Sequence, residues 1–175
     1  VVAGSLTQEH RGAPVRLADG TAVSPVSGAH CSYMAAEPYS DHGVTPLPEG
    51  VPMDLASTFV MPAVGLYGVD MANPRMGDAV VVHGTGLIGL GVVAACAHRG
   101  CEVIAVDLDA DRLAVADALG ADHVIDGSVQ DVPEGVYAIA PEGADVVFEA
   151  TGIPACVDQA IPLCRPFGKF VWQGN

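Results

Sequence analysis

Residues 79–89 read Ala-Val-Val-Val-His-Gly-Thr-Gly-Leu-Ile-Gly, and the reading of this stretch decides the fold. A β-branched run ends in Gly84, Gly86 and Gly89, and an apolar segment of helical character follows directly. This is the pattern of a strand, a tight turn and a helix that together cradle the pyrophosphate of a dinucleotide. Gly84 takes the turn, Gly86 leaves space for phosphate against the backbone, and Gly89 lets the helix pack close to the strand. Amides of the first helical turn, with the positive end of the helix dipole behind them, then face the phosphates.

A second element fits the first. Residues 102–107, Glu-Val-Ile-Ala-Val-Asp, read as the next strand, with Asp107 at its carboxyl end, 18 residues after Gly89. That is near the spacing of the acid that binds the ribose hydroxyls of a dinucleotide. A carboxylate there accepts hydrogen bonds from a 2′-OH and repels a 2′-phosphate, so NAD is expected over NADP. Methyltransferases that use S-adenosylmethionine share a Gly-rich first turn and an acid after the second strand, and they are the rival reading of these residues.

Outward from this centre, strand and helix alternate. The pattern predicts strand 79–83, helix 87–99 closed by Gly100, strand 102–107, and helix 110–119 with Leu113, Ala116 and Leu119 on one face and Gly120 just past its end. A short strand over 123–125 follows. Residues 127–142 are poorly specified, Pro133 and Pro141 limiting any helix to a turn or two. Strand 144–149, a helix opened by Pro154 and running through Cys164, and strand 169–172 complete the series. The fold class is therefore α/β, a doubly wound parallel sheet of the Rossmann type with five strands present. Before it, residues 1–62 are rich in Gly, Pro and short β-prone runs. Asp19-Gly20 marks a hairpin turn, 30–36 reads as a strand, 47–50 as a turn, and 53–71 as a helix loosely broken around Pro62 and Gly65.

The formal charge is −14, from 21 acidic against 7 basic residues, and Lys169 is the single lysine. The balance argues against nucleic acid or an anionic membrane as partner. No unbroken apolar run reaches the length of a membrane span. The five cysteines show no C-x-x-C spacing. They read as small buried hydrophobes in a reducing, cytoplasmic setting, and not as a structural zinc site.

Three stretches carry a family resemblance: Gly77-Asp78-Ala79-Val80-Val81-Val82 into Gly84-Thr85-Gly86-Leu87-Ile88-Gly89; Leu119-Gly120-Ala121-Asp122-His123-Val124-Ile125; and Gly143-Ala144-Asp145-Val146-Val147-Phe148-Glu149-Ala150-Thr151-Gly152. With Arg165-Pro166-Phe167-Gly168-Lys169 they resemble the zinc-type alcohol dehydrogenases of the medium-chain dehydrogenase/reductase superfamily. Upstream, 30–33 and 44–51 resemble the end of that family's GroES-like catalytic domain, and 11–12 with 17–21 resemble, more weakly, the hairpin after its structural-zinc lobe. The resemblance implies two domains, 1–62 a partial GroES-like domain and 63–175 an NAD-binding domain incomplete at its C-terminus. The chain is thus expected to be a fragment.

Carried over position by position, the resemblance implies a phosphate loop of Gly84, Gly86, Leu87, Ile88 and Gly89. It makes Asp107 the ribose-binding acid and Arg112 a basic residue beside the adenosine ribose. Ala150, Thr151 and Gly152 end the fourth strand beside the cofactor. Gln173 and Gly174 end the fifth, where the family's backbone meets the nicotinamide. The first two catalytic zinc ligands of the family lie upstream of this chain, and the third aligns with Met61, whose thioether is a poor zinc ligand. His10, His42 and the adjacent pair His30–Cys31 have no ligand-spaced partners. The resemblance leaves zinc open for the full-length parent, and none is expected in this chain. The function implied is the NAD-binding portion of an oxidoreductase that moves hydride between an alcohol or polyol and nicotinamide, acting on small alcohols or carbonyls and homo-oligomeric in the full-length parent. No residue in the chain is assigned to catalysis, and the fragment alone is expected to be inactive. A zinc-independent quinone or enone reductase of the same superfamily, a methyltransferase and a non-catalytic nucleotide-binding module are the alternatives.

Overall fold

The structure is a computed structural model that describes residues 2–3, 15–16, 22–23, 44–45 and 47–174. The chain divides into two compact units, Val1–Ser57 and Thr58–Asn175. In the first, β1 (Val2–Ala3) pairs antiparallel with β4 (Val44–Thr45), and β2 (Val15–Arg16) with β3 (Ala22–Val23). The second of these pairs brackets the expected Asp19-Gly20 turn. The turn itself and the strand expected at 30–36 lie outside the described residues. A single turn of helix, α1 (Met53–Ala56), ends the unit.

The second unit opens with α2 (Val60–Ala72). The break expected near Pro62 and Gly65 falls earlier, between Ala56 and Val60. Pro62 sits in the first turn of α2, where its missing N–H removes no intrahelical bond. Gly65 lies inside α2 for a packing reason: a Cβ there would overlap the Ile88 carbonyl oxygen.

Five parallel strands follow in the spatial order β7-β6-β5-β8-β9. They are β5 (Ala79–His83), β6 (Glu102–Asp107), β7 (His123–Asp126), β8 (Ala144–Glu149) and β9 (Cys164–Trp172). Val80, Val81 and Val82 are fully buried because β5 is covered on both faces. One face packs Val80, Val82, Val103 and Phe148 on α2, on α3 (Leu87–His98) and on α4 (Ala110–Ala118). The other packs Val81, Ile104 and Val147 on α5 (Val132–Ile139) and on α6 (Pro154–Ala160) with the 3-10 turn Ile161–Leu163 behind it. This is the α/β/α sandwich expected from the alternation. Among the described residues no helix is long and apolar enough to cross a membrane.

Three local expectations change. In 127–142 the helix is about two turns long, as expected, and Pro133 lies inside its start instead of before it. The proline occupies the first turn of α5, and the Asp131 carboxylate accepts the Glu134 N–H at 2.8 Å as an N-cap. The helix opened by Pro154 stops at Ala160 instead of running through Cys164, since Pro162 has no N–H to continue it and a 3-10 turn takes over. The last strand then begins at Cys164, five residues before the expected start, and carries an irregularity in register opposite Ala144–Val146, with Phe167 at φ 64°. On α4, Leu113 and Ala116 are buried, whereas Leu119 lies one residue past the helix and is 41% exposed.

The position of α3 on the sheet depends on one contact. A Cβ on Gly89 would overlap the carbonyl oxygen of Gly84 and stand 2.9 Å from its carbonyl carbon. Both atoms belong to the backbone, so no side chain can yield. Gly89→Ala is expected to lower the unfolding free energy by about 3 kcal/mol or more, read by urea denaturation. A variant with wild-type stability would show that α3 stands farther from β5 than described.

Candidate functional site

The sheet reverses its order between β5 and β8, and a crevice opens there beyond the carboxyl ends of the strands. It is a cavity of about 490 Å³. Its walls come from His83, Gly84 and Gly86 after β5, from Val106 to Asp109 and Arg112 around β6, from Gly127 and Gln130 to Val132 after β7, and from Ala150, Thr151, Ile153, Cys156 and Gln159 after β8.

The turn after β5 has the geometry its glycines suggested. Gly84 stands at φ 97°, a conformation open to glycine at little cost, and its N–H donates to the Val106 carbonyl at 2.8 Å. Gly86 is the N-cap of α3; no side chain caps that helix end, and a Cβ added to Gly86 would meet nothing within 4 Å. The opening amides of α3 thus stand beside empty space on the cavity wall, which is the cradle that an anionic group needs.

Asp107 faces this turn across the cavity mouth. Its Oδ2 accepts the Thr85 backbone N–H at 2.6 Å and the Thr85 hydroxyl at 3.0 Å, while Oδ1 accepts the amides of Leu108 at 2.8 Å and Asp109 at 3.1 Å. Partial burial pushes its pKa up, but these bonds to Thr85, Asp109 and Leu108 outweigh it and hold the carboxyl below its ordinary value. Asp107 is therefore a fixed anion. Of its four donors only the Thr85 hydroxyl can rotate away and leave Oδ2 to a ligand hydroxyl. Asp109 caps α4 by accepting the amides of Asp111 and Arg112, and its Oδ2 lies 3.7 Å from Arg112 Nε. Arg112 is the only Arg or Lys on the cavity wall among the described residues.

The fold brings Gly84, Gly86, Asp107, Arg112, Ala150 and Thr151 to one cavity, and the other expected residues stand outside its wall. Leu87 is exposed, Ile88 touches α2 through its carbonyl, and Gly89 is beneath the turn. Gly152 (φ 71°) follows Thr151. The amides of Gln173 and Gly174 both donate to the Glu149 carbonyl, at 2.8 and 2.9 Å, and the Gln173 side chain donates to Val64 on α2 at 2.7 Å. Met61 is 42% exposed on α2. His10, His30, Cys31 and His42 lie outside the described residues, and among the described residues no three His, Cys, Asp or Glu are grouped to hold a metal ion. The described residues therefore do not fit zinc.

Sequence reasoning missed His83, Cys156 and Gln159. A histidine closing a strand of buried valines was the available signal for the first, and the helical spacing of 156 and 159 for the others. His83 is 5% exposed, and its Nδ1 has no protein partner. Burial lowers its pKa; a hydrogen bond with Gln159 and the charges of Glu149 and Asp107 pull the other way without restoring it. Glu149, fully buried next to His83 in the sheet register, accepts the Thr151 N–H at 2.7 Å and the Thr151 hydroxyl through Oε1.

Comparison with known proteins places the chain in a family. The profile of the zinc-binding dehydrogenases matches residues 88–175, and the chain belongs to that family. It is 36% identical over 151 residues to the erythritol/L-threitol dehydrogenase of Mycolicibacterium smegmatis, an alignment covering 84% of this chain and 41% of that one. Among solved structures it is similar to an alcohol dehydrogenase zinc-binding domain protein from Burkholderia ambifaria, with a TM-score of 0.66 and 29% identity over 72% of this chain and 35% of that one. A zinc-binding dehydrogenase from Sinorhizobium meliloti bound to NADP is 33% identical, with a TM-score of 0.61 over 65% of this chain and 34% of that one. The chain thus spans about two fifths of the length of the curated relative it matches.

The depressed pKa of His83 has a measurable consequence. Below the ordinary histidine range, near pH ~6.5, the unfolded chain binds a proton that the folded chain refuses. Stability therefore rises with pH through that window and is lost as pH falls, until the folded imidazole itself titrates. The slope from this one group has a ceiling of about 1.4 kcal/mol per pH unit. His83→Leu is expected to remove it, so that the difference in urea midpoint between variant and parent changes from pH 7.5 to pH 5.5. A constant difference would place the imidazole in solvent.

Proposed function

We propose that this chain is the NAD-binding portion of an alcohol or polyol dehydrogenase. One observation carries the reading: the open side of Gly86 at the uncapped start of α3, on the wall of a cavity at the point where the sheet order reverses. A pyrophosphate placed there receives helix amides. The adenosine ribose reaches Asp107, and Val106, Leu108, Val132 and Ile153 supply apolar surface for a flat base. When bound, the nicotinamide supplies the hydride acceptor. The residues of this chain bind and orient it, and none of them is assigned a proton or hydride step.

Family membership supports a nicotinamide cofactor, and the cavity supports NAD over NADP. A 2′-phosphate at the ribose would meet the carboxylates of Asp107 and Asp109, against Arg112 alone and with Arg112 already near Asp109. The solved relative bound to NADP shows that the other choice exists at this level of similarity. For the parent protein we infer small alcohols or polyols as substrates, a homo-oligomeric state and a cytoplasmic place. Met61, standing where the resemblance puts a zinc ligand, favours a second reading, a zinc-independent reductase; the charge of Asp107 speaks against it, because such enzymes mostly use NADPH.

Calorimetric titration at one ionic strength tests the reading. NAD⁺ is expected to bind at least tenfold more tightly than NADP⁺, and Asp107→Ser to narrow the ratio. Gly86→Val is expected to abolish binding while circular dichroism stays native, since its Cβ meets no protein atom. Equal affinity for the two cofactors, or retained NAD⁺ affinity in Gly86→Val, would overturn the assignment.

A further inference from the structure

Cys156 is the only described cysteine on the wall of the cavity. Cys96 and Cys101 are buried in the core, and Cys164 begins β9 away from the cavity. Cys156 and Gln159 lie one turn apart on α6, both on the cavity wall that also carries His83. His83 belongs to the same wall, more than nine-tenths buried, with a ring nitrogen that no protein atom satisfies. A buried polar atom without a protein partner marks this end of the cavity as built to receive something. The thiol, half-buried, is within reach of a small molecule entering the same space.

We propose that Cys156 is a modification site that competes with the cofactor: a mixed disulfide formed on its Sγ by a low-molecular-weight disulfide fills the cavity and blocks dinucleotide binding, and bound dinucleotide shields the thiol. The proposal rests on the reading that this cavity holds the dinucleotide. In the reaction, the Cys156 thiol gives its proton to water and the thiolate attacks one sulfur of RS–SR. The new Cys156 S–S bond forms as the old S–S bond breaks, and RS⁻ leaves and takes up a proton. The Cys156 sulfur is oxidised and the departing sulfur is reduced, so the disulfide is the only oxidant needed, and an added thiol reverses the step.

Burial holds the other described thiols back from this chemistry. Burial pushes Cys96 up to about 12 and also raises Cys101 and Cys164, which lowers their thiolate fraction at neutral pH. Cys96 in addition has no access to solvent, and Cys101 very little. Cys164 is partly accessible and outside the cavity, so it serves as the internal control.

The experiment uses the full chain. Untreated protein is titrated with NAD⁺. It is then treated with oxidised glutathione, with and without saturating NAD⁺, and the modified peptides are followed by mass spectrometry. NAD⁺ is expected to slow modification of Cys156 at least tenfold and to leave Cys164 unaffected. Protein modified at Cys156 is expected to lose at least tenfold in NAD⁺ affinity and to regain it with dithiothreitol. In Cys156→Ser, whatever its own affinity, treatment is expected to change nothing. If untreated protein does not bind NAD⁺, the dinucleotide reading fails and the proposal with it. If it binds NAD⁺ but Cys156 is unmodified, is modified at the same rate in its presence, or carries the adduct without loss of affinity, the proposal alone fails.

Discussion

The close approach of Gly89 to the carbonyl of Gly84 governs the rest of the structure. It sets the distance between β5 and α3, and through it the direction in which the start of α3 points. With Gly84 turned to positive φ, the chain leaves the central strand and enters the helix within three residues, and the Gly86 corner faces open space. A backbone contact of this kind leaves little room for relaxation, because protein interiors are packed to crystal-like density. The cavity at the reversal of the sheet follows from that packing.

Charge gives the cavity its second character. Asp107 is held as an anion by four donors from Thr85, Leu108 and Asp109, and Asp109 and Asp131 add carboxylates that also cap α4 and α5. The same acids therefore stabilise helix starts and define the polarity of the site. The same wall carries a histidine, an amide and a thiol, so the cavity offers groups of different polarity to a ligand.

The glycine spacing, the acid at the end of the second strand and the strand–helix alternation were legible in the sequence because each rests on local chemistry: φ freedom, a hydrogen-bonding terminus, a repeating pattern of burial. What was not legible depended on contacts between distant residues. That Thr85 holds Asp107 requires the turn after β5 to reach β6. That Gln173 turns its side chain to Val64 requires α2 beside the end of β9. His83, Cys156 and Gln159 share a wall only because β8 lies next to β5 and α6 folds back over both. The short length of α5 was legible from Pro133 and Pro141, but its start was not, because a proline fits a first turn as well as it ends a helix.

The glycines between α2 and α3 have a mechanical consequence. A Cβ on Gly65 would overlap the Ile88 carbonyl, and one on Gly91 would stand 2.6 Å from the Pro62 carbonyl oxygen. At these two points the helices touch backbone to backbone, with no side chain between them. Ile88 is the second residue of α3, directly behind Gly86. The first turn of α3 is thereby seated directly on α2. The helix that opens this unit is thus a rigid backing for the first turn of α3, on the wall side of which the cavity opens.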